Sequence, residues 1–327
     1  MPEHGGRLRA AARTHGIPPE RWLDLSTGIA PWSWPVPAIP DHVWQRLPEH
    51  DDGLESAARA AFGGGAWLAA PGTQGVLQHL PRALPLRHVT CPAGSYAEHA
   101  ATWQAAGAVV TEDDDAGLHG AADHADAVVV VNPDNPSGRR LDPAVLLDLH
   151  ARLARRDGWL IVDEAFADAA PDASIAALAG LPGLVVLRSV GKFFGLAGVR
   201  LGFVGAPAWL RERLAQRFGP WAVNHPARWL GRRALADRQW QRRQRQRLQA
   251  AARRLDALLH RHGLTVTGGT ALFRYVRHRH PARMARALAA RAVLVRTFDA
   301  PPALRFGLPG PCAEWQHLDA ALQEITR

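Results

Sequence analysis

The chain of 327 residues holds one lysine, Lys192, against thirty-eight arginines, and it is also poor in cysteine, methionine and tyrosine, with two of each. Cys91 and Cys312 stand far apart, without a CxxC spacing or a cluster of other metal ligands. That excludes a disulfide framework and a cysteine-built metal site, and a reducing compartment is expected. No uncharged run reaches the length of a membrane span, and the opening "MPEHGGRLRA" has no apolar segment. A cytoplasmic protein with no membrane partner is therefore expected.

The formal net charge of +9 is a weak guide to partners. Alanine, arginine, glycine, proline and tryptophan are all abundant, which is a coding-sequence bias rather than a selected basic surface. The run "RRQRQR" (242–247) has no interleaved aromatics and no accompanying nucleic-acid motif. It reads as the solvated face of a helix, and no nucleic-acid partner is expected.

The missing lysines give Lys192 its interest. Arginine serves wherever only a cation is needed, but a guanidinium does not lose its proton and cannot act as an amine nucleophile. Lys192 lies in "SVGKFFGLAGVRLGF", after an apolar strand-like stretch (184–187), among Gly191, Gly195 and Gly198, with Arg200 eight residues on. It reads as a Schiff-base lysine.

Along the chain, residues 1–40 include "STGIAPWSWPVPAIP" and read as an extended arm. Residues 41–222 alternate helical stretches ("LESAARAAFG", "TQGVLQHLPRAL", "EHAATWQAAG", "DPAVLLDLHARLARR") with apolar strands ("AVVTED", "DAVVVVNP", "WLIVDEA", "GLVVLRS", "VRLGFVGA"). That alternation predicts an α/β domain with a mostly parallel sheet covered on both faces. Residues 223–327 read as a smaller α+β domain, opening with one amphipathic helix over 226–262 and followed by the strands "AVLVRTF" and "ALRFGLP".

Three segments in order, "VVNPDNPSG", "IVDEAFAD" and "SVGKFFGLAGVRLGF", resemble the signature of the fold-type I pyridoxal-phosphate enzymes, the aminotransferase superfamily. The resemblance covers almost the whole chain and implies pyridoxal 5'-phosphate as cofactor. It assigns Lys192 to the covalent bond with the cofactor, Asp163 to the ring nitrogen and Asn135 to the phenolic oxygen. Tyr96 stacks on the ring in this reading. Ser189, Arg200 and the turn Gly72, Thr73 and Gln74 hold the phosphate. It also implies a homodimer. Two positions depart from the pattern: Phe166 stands where many aminotransferases have a tyrosine, and Leu47 where histidinol-phosphate aminotransferases have one that reaches the partner subunit.

The segment "EHGGRLRAAARTHGIPPERWLDLSTGIAPW" together with "DEAF" resembles the threonine-phosphate decarboxylases of cobalamin biosynthesis, relatives of the histidinol-phosphate aminotransferases. That implies a small phosphorylated amino acid as substrate, with Arg305 on its α-carboxylate and His4, Gly5 and Gly6 on its phosphate. Decarboxylation and transamination both remain open at this stage. They use the same residues and differ in which bond to Cα is held perpendicular to the cofactor ring.

Overall fold

The structure is a computed structural model and describes residues 4–326; the first three residues of the expected arm lie outside it. The strands are β1 (Leu23–Asp24), β2 (Trp67–Ala70), β3 (His88–Pro92), β4 (Val109–Asp113), β5 (Ala127–Val131), β6 (Trp159–Asp163), β7 (Leu184–Ser189), β8 (Gly202–Gly205), β9 (Gly268–Thr270), β10 (Phe273–Arg277), β11 (Val293–Leu294), β12 (Arg296–Asp299) and β13 (Pro302–Gly307). Contacts divide the chain into two compact units. One comprises 33–135 and 140–241; the other comprises 1–32, 136–139 and 242–327. The division at 241/242 falls inside the helix Arg238–Arg261.

The larger unit is built on a seven-stranded sheet in the order β2-β8-β7-β6-β5-β3-β4. Strands β3 to β7 are parallel, and β8 runs antiparallel to both of its neighbours. Every residue of β5 and β6 is buried, as expected of near-continuous apolar runs covered on both faces. Helix Gly72–Ala83 contributes Val76, Leu77 and Leu80 to a core shared with Val129, Ile161 and Val185. The fold is thus α/β with a mostly parallel sheet.

The predicted helix over 226–262 is in fact two helices, His225–Ala236 and Arg238–Arg261. Asp237 breaks it. Its backbone leaves the helical region (φ −81°, ψ 75°), and its Oδ1 accepts the backbone N–H of Trp240 at 2.9 Å. A short acidic side chain that binds a backbone donor three residues on starts a helix more readily than it continues one.

The smaller unit holds an antiparallel sheet in the order β12-β13-β10-β9, and a parallel pair β1-β11. The apolar run "AVLVRTF" is not one strand. Val293 and Leu294 pair with β1, whereas Arg296–Asp299 pairs with β13, so the chain changes sheets at the buried Val295. The arm is not wholly extended either: Leu8–His15 is a helix, ended by Gly16 at φ 64°, while 25–40 contains no helix or strand. No helix among the described residues is long and apolar enough to cross a membrane.

Candidate active site

The candidate residues gather at the carboxyl ends of β5, β6 and β7, where open α/β sheets bind ligands. Asp163 is the last residue of β6 and is 4% exposed. Its Oδ1 accepts the backbone N–H of Ala165 at 3.0 Å, and its Oδ2 lies 3.0 Å from Nε2 of His99, which is 1% exposed. The other ring nitrogen, Nδ1, finds no hydrogen-bond partner among the described residues. The imidazole proton therefore belongs on Nε2, donated to the carboxylate. Sequence reasoning missed His99, because a lone histidine in "SYAEHAA" carries no motif and its partner is far along the chain.

Tyr96 stands edge-on to His99, with ring centroids 6.0 Å apart. Its hydroxyl donates to Gln74 Oε1 at 3.2 Å, and Gln74 Nε2 donates to Glu98 Oε2 at 2.6 Å. The Gln74 side chain is thus engaged in orienting Tyr96. The turn after β5 is locked by Asn132, which exchanges hydrogen bonds with the backbone of Leu141 and donates to Ala173 O. Ser95 Oγ donates to Asp134 Oδ1 and to the carbonyl of Asn135.

Ser189 ends β7, and its Oγ accepts the N–H of Gly191 at 3.0 Å. Ser189 is the register partner of Gly202 in β8. A Cβ on Gly202 would lie 2.6 Å from the backbone N of Thr73, and one on Gly72 would lie 2.8 Å from Nη2 of Arg200. The amino end of helix Gly72–Ala83 is therefore pressed against β8 and Arg200, close to Ser189. Arg200 itself holds the left-handed conformation (φ 58°), which costs a non-glycine residue energy and occurs most often at functional sites.

Lys192 is half-buried, with Nζ 5.5 Å from the centroid of the buried Phe166 ring. Its turn is fastened from behind. Trp34 N donates to Phe194 O at 2.8 Å, and Trp34 Nε1 donates to Asp237 Oδ2 at 3.2 Å. Trp240 stacks on Phe194 with centroids 5.6 Å apart and an interplanar angle of 15°.

In the smaller unit Arg305 is 5% exposed and donates from Nη2 to Ser26 O at 2.7 Å. Its guanidinium lies 5.1 Å from the Phe273 ring centroid. Arg296 is its register partner on the neighbouring strand. Burial, and then the like charge of Arg296, push the Arg305 guanidinium down to about 9. Arg296 was missed in the sequence, where it is one arginine among many. The N–H of Gly6 is donated to Ser26 Oγ at 2.8 Å, and a Cβ on Gly5 would come within 2.3 Å of Ser26 O. His4 is exposed. Leu47 is exposed and lines a groove with Trp44, Trp221 and Pro226.

These residues fit the cofactor that the sequence motifs imply. Asp163 is a buried acceptor of the kind a protonated ring nitrogen requires. The backbone N–H groups opening helix Gly72–Ala83, with Arg200 and Ser189 nearby, would suit a phosphate. Lys192 would supply the amine.

Comparison with known proteins identifies the family. The model of aminotransferase class I and II matches residues 57–322. The chain is 52% identical, over 98% of its length and 97% of the relative's, to a threonine-phosphate decarboxylase of Pseudomonas aeruginosa. Among solved structures it is similar to a histidinol-phosphate aminotransferase from Sinorhizobium meliloti in complex with pyridoxal-5'-phosphate (TM-score 0.83, 22% identity, 98% of this chain and 94% of that one). It is also similar to an L-threonine-O-3-phosphate decarboxylase from Porphyromonas gingivalis (TM-score 0.72, 22% identity, 92% and 98%). The chain belongs to the aminotransferase class I and II family.

Proposed function

We propose that this chain is a pyridoxal-phosphate-dependent carboxy-lyase that converts L-threonine O-3-phosphate into (R)-1-amino-2-propanol O-2-phosphate and carbon dioxide, a step of cobalamin biosynthesis. The observation that carries the anionic substrate is Arg305, a buried guanidinium crowded by Arg296. A buried guanidinium beside a second cation favours a bound anion, here the substrate's α-carboxylate. The choice of decarboxylation over transamination rests on the near full-length likeness to the Pseudomonas aeruginosa enzyme.

When bound, the cofactor supplies an electron sink for the pair released as carbon dioxide leaves Cα. Asp163, fixed by His99 and the Ala165 N–H, keeps the proton on the ring nitrogen that makes the sink effective. Asn135 would hold the phenolic oxygen, where Phe166 brings no hydroxyl. Tyr96 would pack against the ring. Lys192 Nζ would supply the amine that binds the cofactor and would carry the proton delivered to the substrate's Cα. Ser189, Arg200 and the turn at Gly72, Thr73 and Gln74 hold the cofactor phosphate. Arg305 takes the substrate's α-carboxylate. His4 faces the substrate's phosphate, steadied by Gly5 and Gly6 against Ser26.

A homodimer is inferred from the family and from the exposed groove around Trp44, Leu47 and Trp221, an apolar surface of the kind that partner subunits cover. Two cysteines without a disulfide accord with a cytoplasmic setting. The test is carbon dioxide release from O-phospho-L-threonine in the absence of any keto acid. Turnover that requires a keto acid and releases none would instead mark an aminotransferase of the histidinol-phosphate kind.

A further inference from the structure

Behind the site lies a buried charge cluster that the reaction does not touch. Glu164 follows β6 directly, and its N–H continues the ladder to Leu187 O at 3.0 Å. Arg188 is the penultimate residue of β7. Successive strand residues point to opposite faces, so Glu164 and Arg188 turn away from the face that carries Asp163 and Ser189. Arg188 Nη1 lies 2.9 Å from Glu164 Oε2, and Nη2 bonds Asp168 Oδ1. The three side chains are 4%, 0% and 7% exposed. Glu164 Oε1 accepts the N–H of Ile175 at 2.8 Å, and the guanidinium sits 4.5 Å from the Phe62 ring centroid.

A buried ion pair adds little net stability over an apolar pair of the same volume, because desolvation offsets its attraction. Its directionality is what an apolar pair lacks. The backbone ladder sets the register of β6 and β7 as far as Glu164 N and Leu187 O, but valine and leucine side chains add no directional restraint to the residues at the strand ends. A guanidinium held at two points between the strand ends does.

The geometry points to Arg188 as a positioning residue: tied to Glu164 and Asp168, it fixes the offset between the ends of β6 and β7, and so the separation of Asp163 and Ser189. Those two residues grip opposite ends of one nearly rigid cofactor, the ring nitrogen and the phosphate. The inference rests on the cofactor reading given above. It assigns the cluster a role in making the two grips act together rather than in holding the sheet.

The test compares equilibrium binding of pyridoxal 5'-phosphate and of pyridoxal, which lacks the phosphate, to the cofactor-free protein. It uses the parent, Glu164→Gln, and the apolar triple variant Glu164→Leu/Asp168→Leu/Arg188→Leu, which removes the three charges together and so guards against a variant that fails to fold. The parent should bind the phosphorylated form far more tightly. In both variants that advantage should shrink by roughly tenfold or more, the scale of a small misplacement, with pyridoxal binding little changed. A purely structural cluster would lower the melting temperature and leave the ratio of the two affinities as in the parent, which would overturn the inference. A parent that shows no preference for the phosphorylated form would remove the reading of Ser189 and Arg200 as phosphate donors, and the inference with it.

Discussion

His99 donates from Nε2 to Asp163 Oδ2 across 3.0 Å, with both side chains buried. The pair orients the carboxylate, whose other hydrogen bond among the described residues comes from the Ala165 N–H. Replacing the imidazole by alanine leaves a buried acceptor short of a donor, at about 1–3 kcal/mol. His99→Ala should therefore lose about 5- to 160-fold in kcat, the equivalent of that energy. It should still fix cofactor through Lys192. An unchanged kcat would detach His99 from the reaction.

Lys192→Arg keeps the charge and loses the amine. The variant should bind pyridoxal phosphate reversibly, yield no borohydride-fixed chromophore, and fall by orders of magnitude in activity. Borohydride labelling followed by peptide mapping of the parent should find the cofactor at position 192, the one lysine in the chain. Full activity in the arginine variant would remove the central assignment.

Arg305 should respond to anions. Its guanidinium is pushed down by burial and by Arg296, so the charged form destabilises the ligand-free fold. The unfolded chain binds that proton more tightly. Stability should accordingly be penalised below about 9 and recover as the pH rises above it, or when an anion arrives at lower pH. In the cofactor-loaded protein, phosphate at a hundred times its Kd should add about 2.7 kcal/mol by mass action. Arg305→Gln should be no less stable than the parent in anion-free buffer and should lose most of that increment. Thermal melts with and without phosphate measure both, and an equal increment in the variant would refute the role.

The two cysteines should differ sharply in reactivity. Burial, with Glu112 nearby, pushes the Cys91 thiol up to about 12, whereas Cys312 is exposed. At pH 8 the folded protein should react with one equivalent of a thiol reagent, and with two after denaturation. Fast labelling of two thiols in the native protein would contradict the burial of Cys91.

The sequence made the strands and the candidate lysine legible, and the reasons are local. Val128 to Val131 and Leu160 to Val162 are apolar runs that a buried parallel strand requires, and the bias against lysine isolates Lys192. What remained hidden depends on distance. His99 acquires meaning only beside Asp163, and Arg296 only beside Arg305. The break at Asp237 was hidden for a similar reason: an aspartate in an arginine-rich amphipathic run looks like ordinary helix surface until its oxygens are seen to bind Trp240 and Trp34. The helix Leu8–His15 escaped because the proline-rich stretch after it dominated the reading of the whole arm.

Trp34, Asp237, Trp240 and Phe194 close a loop of contacts drawn from three distant stretches of chain: Trp34 to Phe194 through the backbone, Trp34 to Asp237 through the indole, Asp237 to Trp240 through the carboxylate, and Trp240 to Phe194 ring on ring. A closed circuit has no loose end, so the backbone at Phe194, two residues beyond Lys192, is restrained from more than one side. The rotatable bonds left nearest the Lys192 amine are those of its own four methylenes.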